Sequence, residues 1–494
     1  MNRNLRGIMN LKNAGFSKVS TFAIVNSVLW SGLSFSALAT PHHRTIYADD
    51  TSTASANCTY PDGTTPADRP ELHCYDPKQF LAAYGIEKLH RMGITGKGQT
   101  IVLVDSYGSP TMQQDLDHFS DTFGLPRTTI QFVYPNGSYV NDVSDDDKTG
   151  WAEETTLDLE WSHAVAPDAT LVNVVTASSE TVGLAGFPDI FAGIQMAVKQ
   201  FPGAIISMSF GTGEPTFESS DIETYVKGSF HQVFADATAA DSTLLSSAGD
   251  TGSTNIGSDQ QTMLAYANAG YPATDPLVTA VGGTALESDW KWTPQGTADD
   301  YWNCKLNKLQ NCPSDFFLSI LSNHFRRETV WKEDWAIAAG GGGVSTIFSA
   351  PDYQARMKQS LRKIANGYRG IPDISMNAAI NGGVEMYTSF GGKNVWSSSG
   401  GTSCASPEMA GLIALAGQKA SDELGKNVSI GYLNPTLYSM NKDDFYQIKP
   451  RDFGVNKQVV INNDSIYFST ALAKANPSQV PAVAVPGYFF YQGR

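Results

Sequence analysis

Charge is scarce in this 494-residue chain, with Asp, Glu, Lys and Arg together making up 17% of it, against roughly 25% in an average soluble protein. Positive charge is the scarcer sign: 34 Lys and Arg face 49 Asp and Glu, a formal net charge of −15. Such a surface repels phosphate backbones and anionic lipid headgroups, which argues against nucleic-acid partners and against stable membrane association. Beyond the first 39 residues no apolar run approaches the ~20 residues a spanning helix needs, and there is no internal repeat or low-complexity tract. Apolar residues reach 41%, enough for a sizeable core, so disorder, collagen and coiled coil are excluded. Cysteine is limited to five positions. Cys58/Cys74 and Cys304/Cys312 are spaced to close short local loops, which fits an oxidising compartment. Cys404 is left over and reads as a small apolar residue buried in a packed helix start.

Residues 1–39 have the layout of an export signal. Arg3, Arg6, Lys12 and Lys18 precede an apolar stretch that ends in Ala37-Leu38-Ala39. Asn26, Ser27, Ser31, Gly32 and Ser34 interrupt the stretch and disfavour a membrane anchor. The expected location is secreted or periplasmic. Residues 40–73, rich in Thr, Ser, Pro and Asp, read as a flexible leader, and residues 74–494 as the folded body. There, short apolar runs at Thr100–Asp105, Thr170–Val175, Ala204–Phe210, Thr243–Ala248 and Val278–Val281 alternate with helical patterns at Pro110–Phe123, Trp151–Val165 and Ile190–Gln200. Apolar strands without polar alternation are covered on both faces. The expected class is therefore α/β, a doubly wound, mostly parallel sheet with helices on both faces. Residues 286–326 read as an insertion, and the glycines at 211, 213, 249, 252, 282 and 283 fall beyond strand ends, where such sheets bind ligands.

Two constellations carry chemistry. In the helix Trp151–Val165, at about 100° per residue, Asp158 falls about 40° from Glu154 among Trp161, Val165 and Leu157. Glu153 and Glu160 fall at the stripe's edge, where solvated acids are expected, and His163 on the far side. Inward acids imply a shared proton, a partner or a cavity; the alternative is a helix turned so that both acids reach water. The second constellation is Gly400-Gly401-Thr402-Ser403, followed by an apolar helix with Pro407 near its first turn. It sets a hydroxyl at a helix N-terminus, where developing negative charge is favoured; the plain alternative is an N-cap serine.

Gly401-Thr402-Ser403 with Pro407 four residues on resembles the serine signature shared by subtilisins and sedolisins. No histidine has the setting the subtilisin branch uses. The sedolisin (serine-carboxyl peptidase) pattern Glu-x-x-x-Asp is matched by Glu154 and Asp158, and its Gly-Asp-x-Gly turn by Gly249-Asp250-Thr251-Gly252. Gly96–Val102, Ser207–Gly211, Val281–Thr284, Glu328–Trp331, Gly341–Ser345 and Pro372–Ser375 are also similar, so the likeness runs from about Tyr75 to about Ile448. It implies a subtilisin-like fold with Ser403 as nucleophile, Glu154 as general base, Asp158 as its orienting partner and Asp250 as oxyanion donor. Asp105 either extends the proton network or is a strand-end turn residue. Ser209–Gly211 and Gly341–Gly343 stand where such enzymes bind substrate by strand addition.

The resemblance further implies a secreted monomer that acts in acid on polypeptides as an endopeptidase, or that releases tripeptides. The pattern also breaks. A full folded pro-region is not expected between residues 40 and 73. The family's calcium site would fall at Gln447, Ile448, Val485 and Gly487, yet Gln447 and Phe489 stand where aspartates are expected. These departures point to a catalytically impaired, peptide-binding relative as an alternative, and a third reading pairs Asp105 with a histidine such as His163.

Overall fold

The computed structural model describes residues 58–448 apart from 59, 66–71, 73, 138–141, 256–263, 265, 288–326, 332, 334–337, 358, 442–443, 447 and a few side chains. In chain order, the elements that place the site begin with helix α1 (Pro77–Tyr84), strand β1 (Thr100–Ser106), α2 (Met112–Phe123), β2 (Gln131–Val133), α3 (Asp146–Val165) and β3 (Thr170–Thr176). They continue with α4 (Phe187–Gln200), β4 (Ile205–Met208), α5 (His231–Ala239), β5 (Thr243–Ser247), β6 (Thr279–Glu287) and β7 (Arg327–Val330). The last are β8 (Gly343–Ser349), β9 (Tyr368–Ile371), β10 (Ile374–Asn377), β11 (Gly383–Thr388), β12 (Val395–Ser399) and α6 (Thr402–Leu424).

The main sheet runs β2-β3-β1-β4-β5-β6-β7, with β10 also paired to β6. All its pairings are parallel except β6 with β7. From β1 the chain passes to the edge strand β2 and returns to β3 beside β1, then crosses to the other side of β1 for β4 and β5. The switch point therefore lies at the carboxyl end of β1, where a cleft is expected.

Both faces of the sheet are covered, as expected for a doubly wound fold. Along β1, Ile101 and Leu103 join the core under α3 and α6 with Leu157, Trp161, Met409 and Ile413. Val102 and Val104 join the opposite core with Phe187, Ile190 and Ile194 of α4 and Phe234 of α5. The alternation is the two-residue period of a strand, and burying each such side chain stabilises the fold by about 1.5–3 kcal/mol. The stretch Glu180–Gln200 is apolar and long enough to cross a membrane by composition, contrary to the sequence expectation. It is broken at Gly183, and its Phe187, Ile190, Phe191, Ile194, Ala197 and Val198 are buried in the second core.

Helices α3 and α6 lie against each other in the first core. A Cβ at Gly411 would sit 2.6 Å from the Val165 Cβ, so glycine is what lets the two backbones approach there.

Several sequence expectations change. Helix α3 starts at Asp146 rather than Trp151, because Asp145 caps it by accepting a hydrogen bond from the Lys148 N–H (3.2 Å). From Trp151 to Val165 it is buried all round, so the expectation of solvated Glu153 and Glu160 fails. Glu160 accepts from the Tyr387 N–H at 3.1 Å, and Glu153 pairs with Lys393. The end of the expected flexible leader is tied down: Cys58 and Cys74 form a disulfide, Cys58, Tyr60 and Leu72 are buried, and the Cys58 N–H donates to the Leu72 carbonyl at 2.8 Å. Leu286 and Glu287 still belong to β6. The rest of the expected insertion, Cys304 and Cys312, and residues 1–57 lie outside the described residues.

Candidate active site

Glu154 and Asp158 are both fully buried, so the alternative of a helix turned toward water is overturned. Asp158 Oδ2 accepts a hydrogen bond from the Ser209 hydroxyl at 2.8 Å. Ser209 directly follows the end of β4 in the loop at the sheet's carboxyl edge, and its hydroxyl also lies 3.4 Å from the Ser403 carbonyl oxygen. Asp105, one residue from the end of β1, is buried as well and accepts from Asn173 Nδ2 on the neighbouring β3 at 2.5 Å. It is thus more than a strand-end turn residue.

Ser403 is the second residue of α6. The chain leaves β12, turns at Gly401 with φ +95°, and enters the helix there, while the Gly401 N–H donates to the Ala378 carbonyl at 2.7 Å. That φ suits glycine and strains other residues. Gly401 occupies the N-cap with no side-chain cap, so Ser403 is not an N-cap serine and its hydroxyl is not committed to that task. Pro407 lies one turn deeper than expected. Lacking an N–H, it cannot make the helical bond to the Ser403 carbonyl, and that is the carbonyl beside Ser209. Cys404 is buried, as the sequence suggested, and its thiol donates to Glu408 at 3.2 Å.

Asp250 lies just beyond β5 in a turn that contains Gly249 at φ +119° and Gly252 at φ +70°. One oxygen of its carboxyl accepts from the Thr402 N–H at 3.2 Å, which brings it to the first turn of α6. The turn is clamped by the Ala339–Gly341 segment: the Ala339 N–H donates to the Asp250 carbonyl and the Gly341 N–H to the Gly249 carbonyl, both at 3.1 Å.

Electrostatics binds these residues into one group. Burial pushes the Asp158 carboxyl well above the usual carboxylate range, and the neighbouring Asp105 and Glu154 push it further. Burial and then the Glu154 charge do the same to Asp105 and to Asp250. The thiol of Cys404, next to Ser403 in the chain, is raised by burial and Glu408 first and also by Asp158 and Glu154. Glu154 is therefore within electrostatic reach of Asp105, Asp158, Asp250 and the first turn of α6. Acids this close and this buried cannot all ionise, so protons are shared among them.

The histidine reading fails. His163 Nε2 donates to the Pro126 carbonyl at 2.7 Å, and burial lowers its pKa to about 4. Among the other described histidines, His90 bonds the Val165 carbonyl, His231 bonds Asp275, and the His118 ring lies against that of Tyr387. Asp105 has Asn173 as its partner instead.

Of the calcium positions only Ile448 is described; Gln447, Val485 and Gly487 lie outside the described residues. Gln447, Ile448, Val485 and Gly487 offer carbonyl oxygens but no carboxylate, a donor set without the charge that holds a hard dication tightly. Among the described residues no cluster of three His, Cys, Asp or Glu side chains could hold a metal. Sequence reasoning missed Asn173, although a lone Asn in the apolar run Thr170–Val175 was a usable signal, since a buried amide needs a partner. It placed Ser209 in a substrate-binding segment and missed its bond to Asp158.

The family model "Subtilase family" matches residues 144–439. The chain is similar to kumamolisin of Bacillus sp. (strain MN-32), 29% identical over 376 residues covering 76% of this chain and 56% of that protein. It is also similar to tripeptidyl-peptidase 1 of Dictyostelium discoideum, 26% identical over 380 residues covering 74% of this chain and 50% of that protein. The chain thus spans about half the length of the curated relatives it matches. The solved structure of Pseudomonas sedolisin, a serine-carboxyl proteinase complexed with pseudo-iodotyrostatin, shares the fold with a TM-score of 0.53 at 24% identity, covering 74% of this chain and 85% of that one.

Proposed function

The chain belongs to the subtilase family, on its sedolisin branch, and from that premise we propose that it is an exported serine-carboxyl peptidase that cleaves polypeptides in acid through Ser403. The observation that supports this reading best is the arrangement around the start of α6. A serine hydroxyl, a carboxyl hydrogen-bonded to the helix's first N–H, and an interacting set of buried acids meet at one edge of the sheet.

In the proposed mechanism, Glu154 accepts the Ser403 hydroxyl proton as the oxygen attacks the substrate carbonyl and passes it to the departing amine, leaving an acyl-enzyme on Ser403. Water, giving its proton to the same carboxylate, then hydrolyses the acyl-enzyme to release the acid and free the serine. Asp158 and Asp105 share protons with Glu154, and Ser209 fixes Asp158 by donating to it. Asp250, kept protonated by burial, donates its proton to the oxyanion while its other oxygen accepts from Thr402. Carboxylates as a class, near ~4 in model peptides, still accept a proton where imidazole, near ~6.5, is already charged. The base thus remains usable in acid, where the oxyanion donor stays protonated.

We take the cleavage to be internal, as in the sequence reading. The relatives named tripeptidyl-peptidases motivate a second reading, release of tripeptides from free N-termini. Incubation with denatured casein at pH 3–5, with Ser403→Ala as control, tests the activity. Fragments in the wild type alone support it, and equal fragmentation by both proteins contradicts it. Fragment masses separate the two modes, because tripeptide ladders would replace internal cuts.

A further inference from the structure

We propose that Glu214 is a positioning residue that holds the two walls of the peptide groove at a fixed separation, so that an extended substrate can pair with both. Glu214 follows Ser209–Gly211, the first wall, through the short strand Thr212–Gly213, which pairs with Gly270–Tyr271. Its backbone N–H donates to the Ala269 carbonyl at 3.0 Å. Its carboxyl group is buried and reaches across to β8, which continues the second wall from Gly341–Gly343. There one oxygen accepts from the Ser345 hydroxyl at 2.5 Å, and the other from the Thr346 N–H at 2.5 Å and the Thr346 hydroxyl at 2.9 Å. The Ser345 oxygen accepts in turn from the Ile347 and Phe348 N–H groups at 3.0 and 2.8 Å, so the carboxylate anchors a whole turn of β8.

This bond set closes a ring. Asp158 is bonded to Ser209, Ser209 leads along the chain to Glu214, and Glu214 is bonded to β8. From β8 the chain runs back to Gly341 and Ala339, which are bonded to Gly249 and Asp250, and Asp250 is bonded to Thr402 beside Ser403. The other links of the ring are backbone bonds or belong to the reacting groups. Glu214 is the side chain that ties wall to wall without being one of the acids around Ser403. Its carboxylate only accepts, and its β8 partners here only donate. Glutamine keeps one acceptor oxygen. Turned toward Thr346, it sets its NH₂ against the Ser345 hydroxyl, which must give up its bond to residue 214 and already accepts from Ile347 and Phe348; turned toward Ser345, it sets its NH₂ against the Thr346 N–H.

The role rests on the peptidase reading, and the test separates the two. A cleavage site mapped in denatured casein supplies two synthetic peptides, one extending four residues to each side and one trimmed to two. Glu214→Gln should raise KM for the long peptide ~10-fold, the loss of charge-assisted hydrogen bonds, with kcat within about 2-fold and the trimmed peptide little affected. Thr346→Val, which removes one donor and leaves the carboxylate in place, should move KM the same way by a smaller factor, and thermal unfolding verifies that both variants fold. A general loss of stability would lower the amount of active enzyme without this dependence on peptide length. An unchanged KM for the long peptide in both variants, or a fall in kcat at constant KM, overturns the proposal. Binding of fluorescently labelled denatured casein to Ser403→Ala and to Ser403→Ala/Glu214→Gln reads the groove without turnover. About 10-fold weaker binding by the double variant supports the positioning role even if Ser403-dependent cleavage is never seen, an outcome that would count against the catalytic reading alone, and equal binding overturns it.

Discussion

Asp373 and Asp158 are both buried, yet their surroundings are opposite. Asp373 accepts two hydrogen bonds from the guanidinium of Arg369, itself fully buried, and further ones from the Tyr438 hydroxyl at 2.7 Å and the Ala280 N–H at 2.8 Å. Arg369 is held firmly charged chiefly by that carboxylate, although burial opposes the charge, and its guanidinium lies 5.6 Å from the Tyr353 ring. Asp158 receives one bond from Ser209 and faces Asp105 and Glu154, with no cation among the groups acting on it. The first arrangement fixes a charge in place and ties β6 and β9 to the short connection between β9 and β10. The second disfavours ionisation of Asp158 beside its acidic neighbours, which suits the proposed site, where a proton must be taken up and given back. A buried acid is thus a brace or a reactive group according to whether a cation or another acid sits beside it.

The sharpest way to break this contrast is to neutralise each side. Glu154→Gln should lower kcat for casein-derived peptides by ~10²–10⁴, the usual worth of a positioned base, while urea unfolding shows no loss of stability. A variant that instead unfolds with its rate per folded molecule intact would make Glu154 structural. Arg369→Met should do the reverse, costing about 3–5 kcal/mol in stability because Asp373 loses its counter-charge in the interior, with kcat/KM per folded molecule unchanged. Asp250→Ala should cost ~10²–10³ in kcat. Asp250→Asn, which donates at any pH, should retain more rate and extend activity to higher pH than wild type.

A smaller effect distinguishes the two regions by pH. Asp105, Asp158, Asp250, Glu160 and Glu408 have carboxyl groups raised first of all by burial. Groups raised in the fold contribute stability that is complete below the unfolded carboxyl value near ~4 and is lost as pH rises through the folded value. His163, lowered to about 4, works the other way, stabilising above its unfolded value and losing that stability as pH falls from ~6.5. The acids outnumber it, so Tm should fall by several degrees between pH 4 and pH 7, and Asp158→Asn should flatten the slope. A Tm that rises over that interval would contradict the assignment of shared protons.

What the sequence revealed follows from the range of its periodicities. The three-to-four-residue spacing of a helix put Glu154 and Asp158 on one inward side, and short apolar runs located β1, β3, β4 and β5 within a few residues. The same reasoning misjudged Glu160 and His163, because a one-sided stripe cannot indicate that a helix is enclosed from every direction. The Arg369–Asp373 brace falls partly within the Pro372–Ser375 motif, yet the shell of Ala280 and Tyr438 around it joins residues 65 or more positions apart. The Asp158–Ser209 and Glu214–Thr346 bonds span 51 and 132 positions. No local pattern encodes such separations; they exist only once the sheet order brings strand ends together.

The pH dependence of kcat/KM for Ser403-dependent hydrolysis of a casein-derived peptide tests the proposed role of the acids. A carboxylate base with a protonated oxyanion donor predicts a maximum on the acid side, with activity sustained well below pH ~6 and falling toward neutrality as Asp250 ionises. A rate that climbs through pH ~6.5 to a neutral or alkaline plateau would mean that an imidazole is the base, and Glu154 and Asp158 would then be buried for some other reason.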